Sequence, residues 1–297
     1  MLEDTMNTIW STYVQKIGTL YDTRSLRFSD IYKDKYLKAF KIEDRSNLKL
    51  LEIGCGPGAL AESLRRWYPN ISIYAIDRDS NFINYASKKS SSIYFSEGDA
   101  TRLKFDNNSL DVTISNTVAE HIEPSKFYGE QYRVLKKNGV CLVLSARNGI
   151  NIYSQCVIEQ SEFEKQIWKR VENYFYDIEK KYDICLYQQN ESEIPLNMEK
   201  NGFKNVSTEY ITINLTPDNP IYSRETAYAM INANRQVNID NINGLSYIAP
   251  NIVDESEIEE LKRLVNKKYD YRLALYDKGI KLWDTNVSVT MVIRGVK

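Results

Sequence analysis

Between Lys49 and Ala146, five short runs rich in β-branched residues alternate with stretches of helical patterning. Neighbouring parallel strands cannot be joined by a tight turn; they need a crossover of a dozen or more residues, normally a helix. The alternation therefore predicts βαβ units around a parallel sheet, with strands at 49–54, 71–77, 92–99, 110–116 and 139–146. Helices are expected at 59–68, which runs into Pro69, at 80–89 with Ser80 as N-cap, and at 125–136, opened by Ser125 after Pro124. The expected core is α/β and doubly wound.

After Ala146 the alternation stops. Residues 150–192 read as long helical segments rich in aromatics, 198–215 as a short helix, a glycine and an alternating strand, and 285–297 as a further strand. Residues 216–284 between those strands carry no strand pattern. They include a capping-box sequence, Asp254-Glu255-Ser256-Glu257, an expected i,i+4 pair of Glu259 with Arg263, and an apolar face of Ile258, Leu261, Leu264 and Val265. The chain then divides into an N-terminal helical cap segment (1–46), a ligand-binding α/β core (47–150), a helical segment with the sixth strand (151–215), a helical insertion capping the substrate (216–284) and a final core strand (285–297). The peripheral segments 1–46, 147–195 and 216–284 are expected over the carboxyl edge of the sheet, where open α/β sheets bind ligands.

Charge narrows the partners. Lys and Arg number 39 against 40 Asp and Glu, a net charge of -1, which gives no bulk attraction to nucleic acid or to an anionic membrane. The opening MLEDTMNTIW has no basic n-region and runs such as GVCLVLSA are too short to span a bilayer, so a soluble, cytoplasmic protein is expected. Cys55, Cys141, Cys156 and Cys185 show no metal-ligand spacing and read as reduced, small apolar residues. His121 is the only histidine, which removes multi-histidine metal sites; no metal is expected. The 22 tyrosines suit a pocket that is apolar and still offers hydroxyls.

In LLEIGCGPGALAESL, Gly54, Gly56 and Gly58 follow a strand and precede a helix, so the turn is tight and its backbone open to a ligand. The spacing is GxGxG, not the GxGxxG of dinucleotide sites, and Glu52 stands two residues before the first glycine. A carboxylate there repels a pyrophosphate and suits an ammonium group. Asp77, at the end of the second strand, stands where the acid on ribose hydroxyls sits in nucleotide-binding sheets; alternatively it caps the next helix. Asp99, at the end of the third strand, and Asn116, at the end of the fourth, would complete one polar crevice, or serve their own turns.

Together, LLEIGCGPG, IDRD, GDATRLKFDNNSLDVTISNTVAEHI and RVLKKNGVCLVLSARNG resemble the class I S-adenosylmethionine-dependent methyltransferases, particularly the small-molecule group that includes quinone-biosynthesis enzymes. The resemblance covers roughly 46–150; the strands at 202–215 and 285–297 fit the family's reversed final hairpin, and 216–284 is not accounted for. It implies a Rossmann-like seven-stranded sheet with the last strand antiparallel, and S-adenosylmethionine as cofactor. Glu52, Gly54, Gly56 and Gly58, with Cys55 among them, would hold the methionine end, Asp77 with Arg78 the ribose, and Asp99 with Ala100 the adenine. Asn116 and Thr117 would line the same crevice. The N-terminal segment of many such enzymes folds over the cofactor, so Tyr21, Arg24 and Arg27 in YDTRSLRF are expected there, a guanidinium pairing with the cofactor carboxylate.

Methyl transfer from a sulfonium is an in-line displacement that needs no obligatory base. If a base is used, His121 is the only imidazole for it; otherwise it anchors the loop before Pro124. Substrate contacts are expected from Tyr222, Arg224, Tyr228 and Trp283, although aromatics at helical spacing also build cores. Arg235, Tyr271, Arg272 and Tyr276 belong to the same stretches. Asn116-Thr117-Val118-Ala119 is not the N/D-P-P-Y/F of amino-directed DNA enzymes, no Pro-Cys nucleophile is present, and only Asn116 and Glu120 could serve a catechol-type metal site. The expected function is methyl transfer to a small-molecule acceptor. The alternatives are a nucleic-acid or protein methyltransferase, and a non-catalytic binder of S-adenosylmethionine or a nucleotide.

Overall fold

In the computed structural model, which describes residues 10–154, 160–181 and 184–297, the alternating segments form part of one seven-stranded sheet. Its strands are β1 (Lys49–Ile53), β2 (Ser72–Asp77), β3 (Tyr94–Glu97), β4 (Leu110–Asn116), β5 (Leu135–Ser154), β6 (Lys204–Asn214) and β7 (Thr285–Val296), in the order β3-β2-β1-β4-β5-β7-β6. The first five pair in parallel, in registers such as Ile53↔Ile76 and Ile53↔Ser115. The last strand is antiparallel: the Lys297 amide, at the end of β7, donates to the Gly139 carbonyl near the start of β5. This is the doubly wound, Rossmann-like α/β class expected.

The helices are α1 (Ile17–Arg27), α2 (Lys33–Phe40), α3 (Ala59–Trp67), α4 (Ser80–Lys89), α5 (Pro124–Val134), α6 (Glu162–Lys181), α7 (Glu193–Lys200), α8 (Arg224–Ile248) and α9 (Glu255–Asp277). Cys156 lies outside the described residues. Leu51, Ile53, Leu110, Cys141 and Val143 on the central strands are buried with Phe127, Tyr128, Met291 and Ile293. Strands covered by helices on both faces read as continuous apolar runs for this reason. Strand order reverses between β1 and β4, which makes the carboxyl ends of those two strands the topological switch point where a ligand binds.

Local chemistry moved several boundaries. Asp79, not Ser80, is the N-cap of α4; its carboxylate accepts from the amides of Asn81 and Phe82. Glu123 caps α5, accepting from the Ser125 and Lys126 amides, and Pro124 takes the first helical position, where its missing N–H costs nothing. That helix ends at Val134, and the chain passes straight into β5, longer than the 139–146 expected. β3 covers only Tyr94–Glu97, so Asp99 lies two residues past it.

The chain forms two compact units: residues 1–150, 185–213 and 288–297 hold most of the sheet, and residues 151–184 with 214–287 form the other. The second is built on α6, α8 and α9 around Ile167, Val171, Ile242, Leu245, Leu261, Val265 and Tyr269. Its capping box is present, with Asp254 and Glu257 each accepting from the other's amide. The expected Glu259–Arg263 pair is not: Lys262 takes Glu259 and Arg263 takes Glu260, each three residues apart. Leu264 is half-buried, so the inner face of α9 runs through Ile258, Leu261, Val265, Tyr269 and Arg272.

Candidate active site

The glycine turn stands at the switch point. Gly54, Gly56 and Gly58 all take the left-handed backbone, with φ of 68°, 52° and 91°. At Gly54 the demand is also steric, because a Cβ would lie 2.4 Å from a Val118 methyl. The amides of Gly54 and Cys55 donate to the Ile76 carbonyl of β2 and that of Gly58 to the Cys55 carbonyl, which fixes the turn against the sheet. Asp77 ties the turn to the neighbouring loop: one carboxylate oxygen accepts from the Gly56 amide at 2.8 Å, the other from the Asp79 amide at 2.9 Å. Each oxygen keeps acceptor capacity for a further donor. Burial raises the Asp77 acid above its ordinary value, opposed by these two amides.

Glu52 is only 2% exposed, and its Oε2 has no hydrogen-bond partner. Burial first, then the charge of Asp77, push its carboxyl well above the usual range. A buried acid in this state lacks a cation. Cys55 is buried and its thiol is pushed up by burial and by the two acids.

The N-terminal segment lies on the same cleft. The Ser11 amide and hydroxyl donate to the Asp79 carboxylate at 2.8 and 3.0 Å, and Trp10 packs edge-on against His121 with centroids 4.7 Å apart. A Cβ on Gly56 would stand 3.5 Å from Leu20, so α1 starts above the glycine turn. Four residues on, Arg24 donates to the Thr117 hydroxyl at 3.1 Å, just past the end of β4. Its guanidinium is held down to about 10 by burial and by Arg27, with Glu120 opposing. Arg27 donates to the hydroxyl of Ser288 on β7. Tyr21 points its chemistry elsewhere: its hydroxyl donates to Glu62 at 2.7 Å, and burial with that carboxylate pushes it up to about 12.

Asn116 ends β4, where its carbonyl accepts from the Thr117 hydroxyl; Thr117 itself has φ 53°. Asp99 is exposed and accepts from both the amide and hydroxyl of Thr101, the turn chemistry weighed as its alternative; Ala100 is half-buried and Arg78 exposed. His121 accepts the Cys185 amide at Nδ1, 3.0 Å away, and burial followed by Arg78 lowers its pKa to about 4. In that state the proton sits on Nε2, so the neutral ring has no free lone pair to offer a substrate.

The residues expected to touch substrate lie in the second unit. Tyr222 and Arg224 line a cavity of about 460 Å³ together with Asp218, Tyr276 and Asp277. The Tyr222 hydroxyl donates to the Asn214 carbonyl. Arg224 is paired with Asp277 at 2.6 Å, and Tyr228 donates to the same carboxylate. Trp283 does not line this cavity; it is half-exposed, with Lys281 over its ring. Arg272 is fully buried against Asp218 and Asp284, so that member of the aromatic stretch is architecture. Sequence reasoning missed the Ser11–Asp79 clasp and the Cys185 amide on His121. Asp79-Ser80-Asn81 signals the helix cap at Asp79 but not its bond to Ser11, 68 residues away, and the Cys185 amide left no signal. Among the described residues no group of His, Cys, Asp and Glu is arranged to hold a metal ion, and no helix is long and apolar enough to cross a membrane.

Residues 51–143 match the family model described as "Methyltransferase domain". This stretch, from β1 into β5, is similar to methyltransferase domains. Over 152 residues the chain is 28% identical to the ubiquinone biosynthesis O-methyltransferase of Pelagibacter ubique, covering 48% of this chain and 62% of that protein. The fatty-acid O-methyltransferase of Mycolicibacterium smegmatis is 31% identical over 108 residues, 35% of this chain and 39% of that one. Among solved structures, phosphoethanolamine N-methyltransferase 2 of Haemonchus contortus, in complex with phosphomonomethylethanolamine and S-adenosylhomocysteine, aligns with a TM-score of 0.54 at 17% identity, over 97% of this chain and 60% of that chain. The chain shares that fold. In each case less than two thirds of the other protein's length is spanned.

Proposed function

We propose that the chain is an S-adenosylmethionine-dependent methyltransferase acting on a small-molecule acceptor. The observation that carries this is Glu52: a buried carboxyl with an unpartnered oxygen, placed directly before a turn of three left-handed glycines. Such a group fits an ammonium and opposes a pyrophosphate, which separates this cofactor from dinucleotides. When bound, S-adenosylmethionine supplies a methyl group whose bond to sulfur breaks, the electron pair staying on sulfur, as the acceptor's lone pair bonds to carbon.

The residues of the chain bind, orient and exclude water. Glu52 takes the ammonium and Arg24 the carboxylate of the methionine moiety; the residual acceptor capacity of Asp77 suits ribose hydroxyls, and Asp99 with Ala100 is assigned to the adenine from the family resemblance of GDATRLKF. Thr117 holds Arg24 in place. Residues 10–14 cover the cleft from the side of Asp79 and His121. His121 serves as an anchor for the 185 region, since its lone pair is occupied. In-line positioning carries the reaction, with no side-chain base required.

A small acceptor is favoured over nucleic acid by the net charge of -1 and by the lack of a base-flipping motif after β4. The relatives' names point the same way, to ubiquinone biosynthesis and fatty acids. In the second unit, Tyr222 and Arg224 are proposed acceptor contacts through the cavity they line. Titration calorimetry with S-adenosylhomocysteine tests the cofactor assignment: one-to-one binding is expected, weakened strongly by Gly54→Val, and no binding of either S-adenosylmethionine or its product would overturn it.

A further inference from the structure

Two guanidiniums on α1 are left without a counter-charge. Among the described residues, neither Arg24 nor Arg27 has a carboxylate within ion-pair distance; their hydrogen-bond acceptors are the hydroxyls of Thr117 and Ser288. The groups that act most on Arg27 besides burial are the phenols of Tyr36 and Tyr32, and Glu120 acts on Arg24 from a distance. Both sit in the last turn of α1, where the helix carbonyls favour cations and make the arrangement tolerable. Two half-buried cations that repel one another form a site for anions.

One anion does not fill it. Leu20 stands over the glycine turn after β1, Arg24 reaches the end of β4, and Arg27 reaches Ser288 near the start of β7. Because β7 is antiparallel, its start lies on the same edge as the end of β4, so α1 crosses that edge from the cofactor side outwards. β5 separates β4 from β7 in the sheet, which puts those two strands about 10 Å apart. A carboxylate held bidentately at Arg24 has both oxygens engaged there, which leaves the fork of Arg27, tied to β7, for another acid. The ground over β5 and β7 lies beyond the switch point, on the side left for the acceptor.

We infer that Arg27 anchors an acidic group of the methyl acceptor, so that the substrate is a small molecule bearing a carboxylate or a phosphate monoester. The planar fork of the guanidinium suits either group bidentately. Ser288 and the Tyr36 phenol, which donates to the Arg27 carbonyl at 3.3 Å, orient the arginine. The acid takes no part in bond making. This rests on reading the cleft as a methyl-transfer site.

The test uses the full chain saturated with S-adenosylhomocysteine, titrated with benzoate, phenyl phosphate and the neutral benzyl alcohol. The expected result is at least one anion binding about tenfold or more tighter than the alcohol, a preference that Arg27→Met abolishes while S-adenosylhomocysteine affinity changes by less than about threefold. Arg24→Met gives the reverse, losing about tenfold or more in S-adenosylhomocysteine affinity and retaining the anion preference. The two anions separate carboxylate from phosphate substrates. Arg27→Lys, which keeps the charge and loses the fork, is expected to retain part of the preference and covers the case in which Arg27→Met does not fold. Absence of any anion preference in the wild-type protein, or an Arg27→Met effect on the cofactor alone, overturns the inference. Failure of the wild-type protein to bind S-adenosylhomocysteine overturns the underlying reading instead.

Discussion

Arg272 in the helical unit and Arg24 with Arg27 in the sheet unit are held in opposite ways. In the helical unit Arg272 is enclosed by two aspartates, Asp218 and Asp284, and Asp218 also accepts from the amides of Leu282 and Trp283. Arg235 in the same unit is paired with Asp270. In the sheet unit Arg24 and Arg27 have hydroxyls for partners and each other for company. A neutralised guanidinium is complete as folded and holds elements together. Arg24 and Arg27, left without a carboxylate, suit a ligand that supplies one.

The comparison is broken most easily at Arg272. Arg272→Met leaves two aspartates buried without their cation, and a loss of about 3–5 kcal/mol of stability is expected in a urea titration, with the S-adenosylhomocysteine affinity of the folded fraction unchanged. If Arg272→Met is as stable as wild type, paired and unpaired arginines cannot be told apart in this way.

Glu52 sharpens the same contrast from the acid side. Its folded-state pKa lies above the unfolded value of 4.5, so its protonated form favours folding below that value, and the contribution is lost as pH rises through the window between the unfolded and the raised folded pKa. Melting temperatures of the ligand-free protein are expected to fall across that window more steeply for wild type than for Glu52→Gln. S-adenosylmethionine should remove the difference by supplying the ammonium.

His121 titrates with the opposite sign. A pKa lowered from 6.5 to about 4 gives stability that is present above pH 6.5 and lost as pH falls towards 4. His121→Gln should flatten that acid limb and leave turnover within a few-fold, as measured by S-adenosylhomocysteine release; a loss of about a hundredfold would restore the histidine as a base. The smallest effect is expected at Arg224. Arg224→Ala removes an exposed pair with Asp277, and no measurable change in melting temperature should follow.

The sheet was legible because each βαβ unit repeats a local periodic signal, and the glycine turn because three left-handed positions select glycine strongly. Helix starts were less so. Asp79 and Ser80 both cap well, and only the packing of α4 decides between them; Lys262 and Arg263 compete for neighbouring glutamates, and the nearer one on the helix surface wins. Within the site, the identities of Glu52 and Asp77 carried the reading, because their neighbours are close in sequence. The partners of Arg24, Arg27 and His121 lie 93, 261 and 64 residues away. Which amide fills an imidazole nitrogen, or which hydroxyl meets a guanidinium, is settled by tertiary packing and leaves no local trace.

The Asp79 carboxylate has a consequence for cooperativity. One of its oxygens starts α4 through the amides of Asn81 and Phe82 and also accepts from the Ser11 hydroxyl, while the other accepts from the Ser11 amide. The amino-terminal turn and the loop that bears Asp77 therefore share one electrostatic hinge pin. Loss of this one carboxylate would therefore release the Ser11 clasp and uncap α4 together.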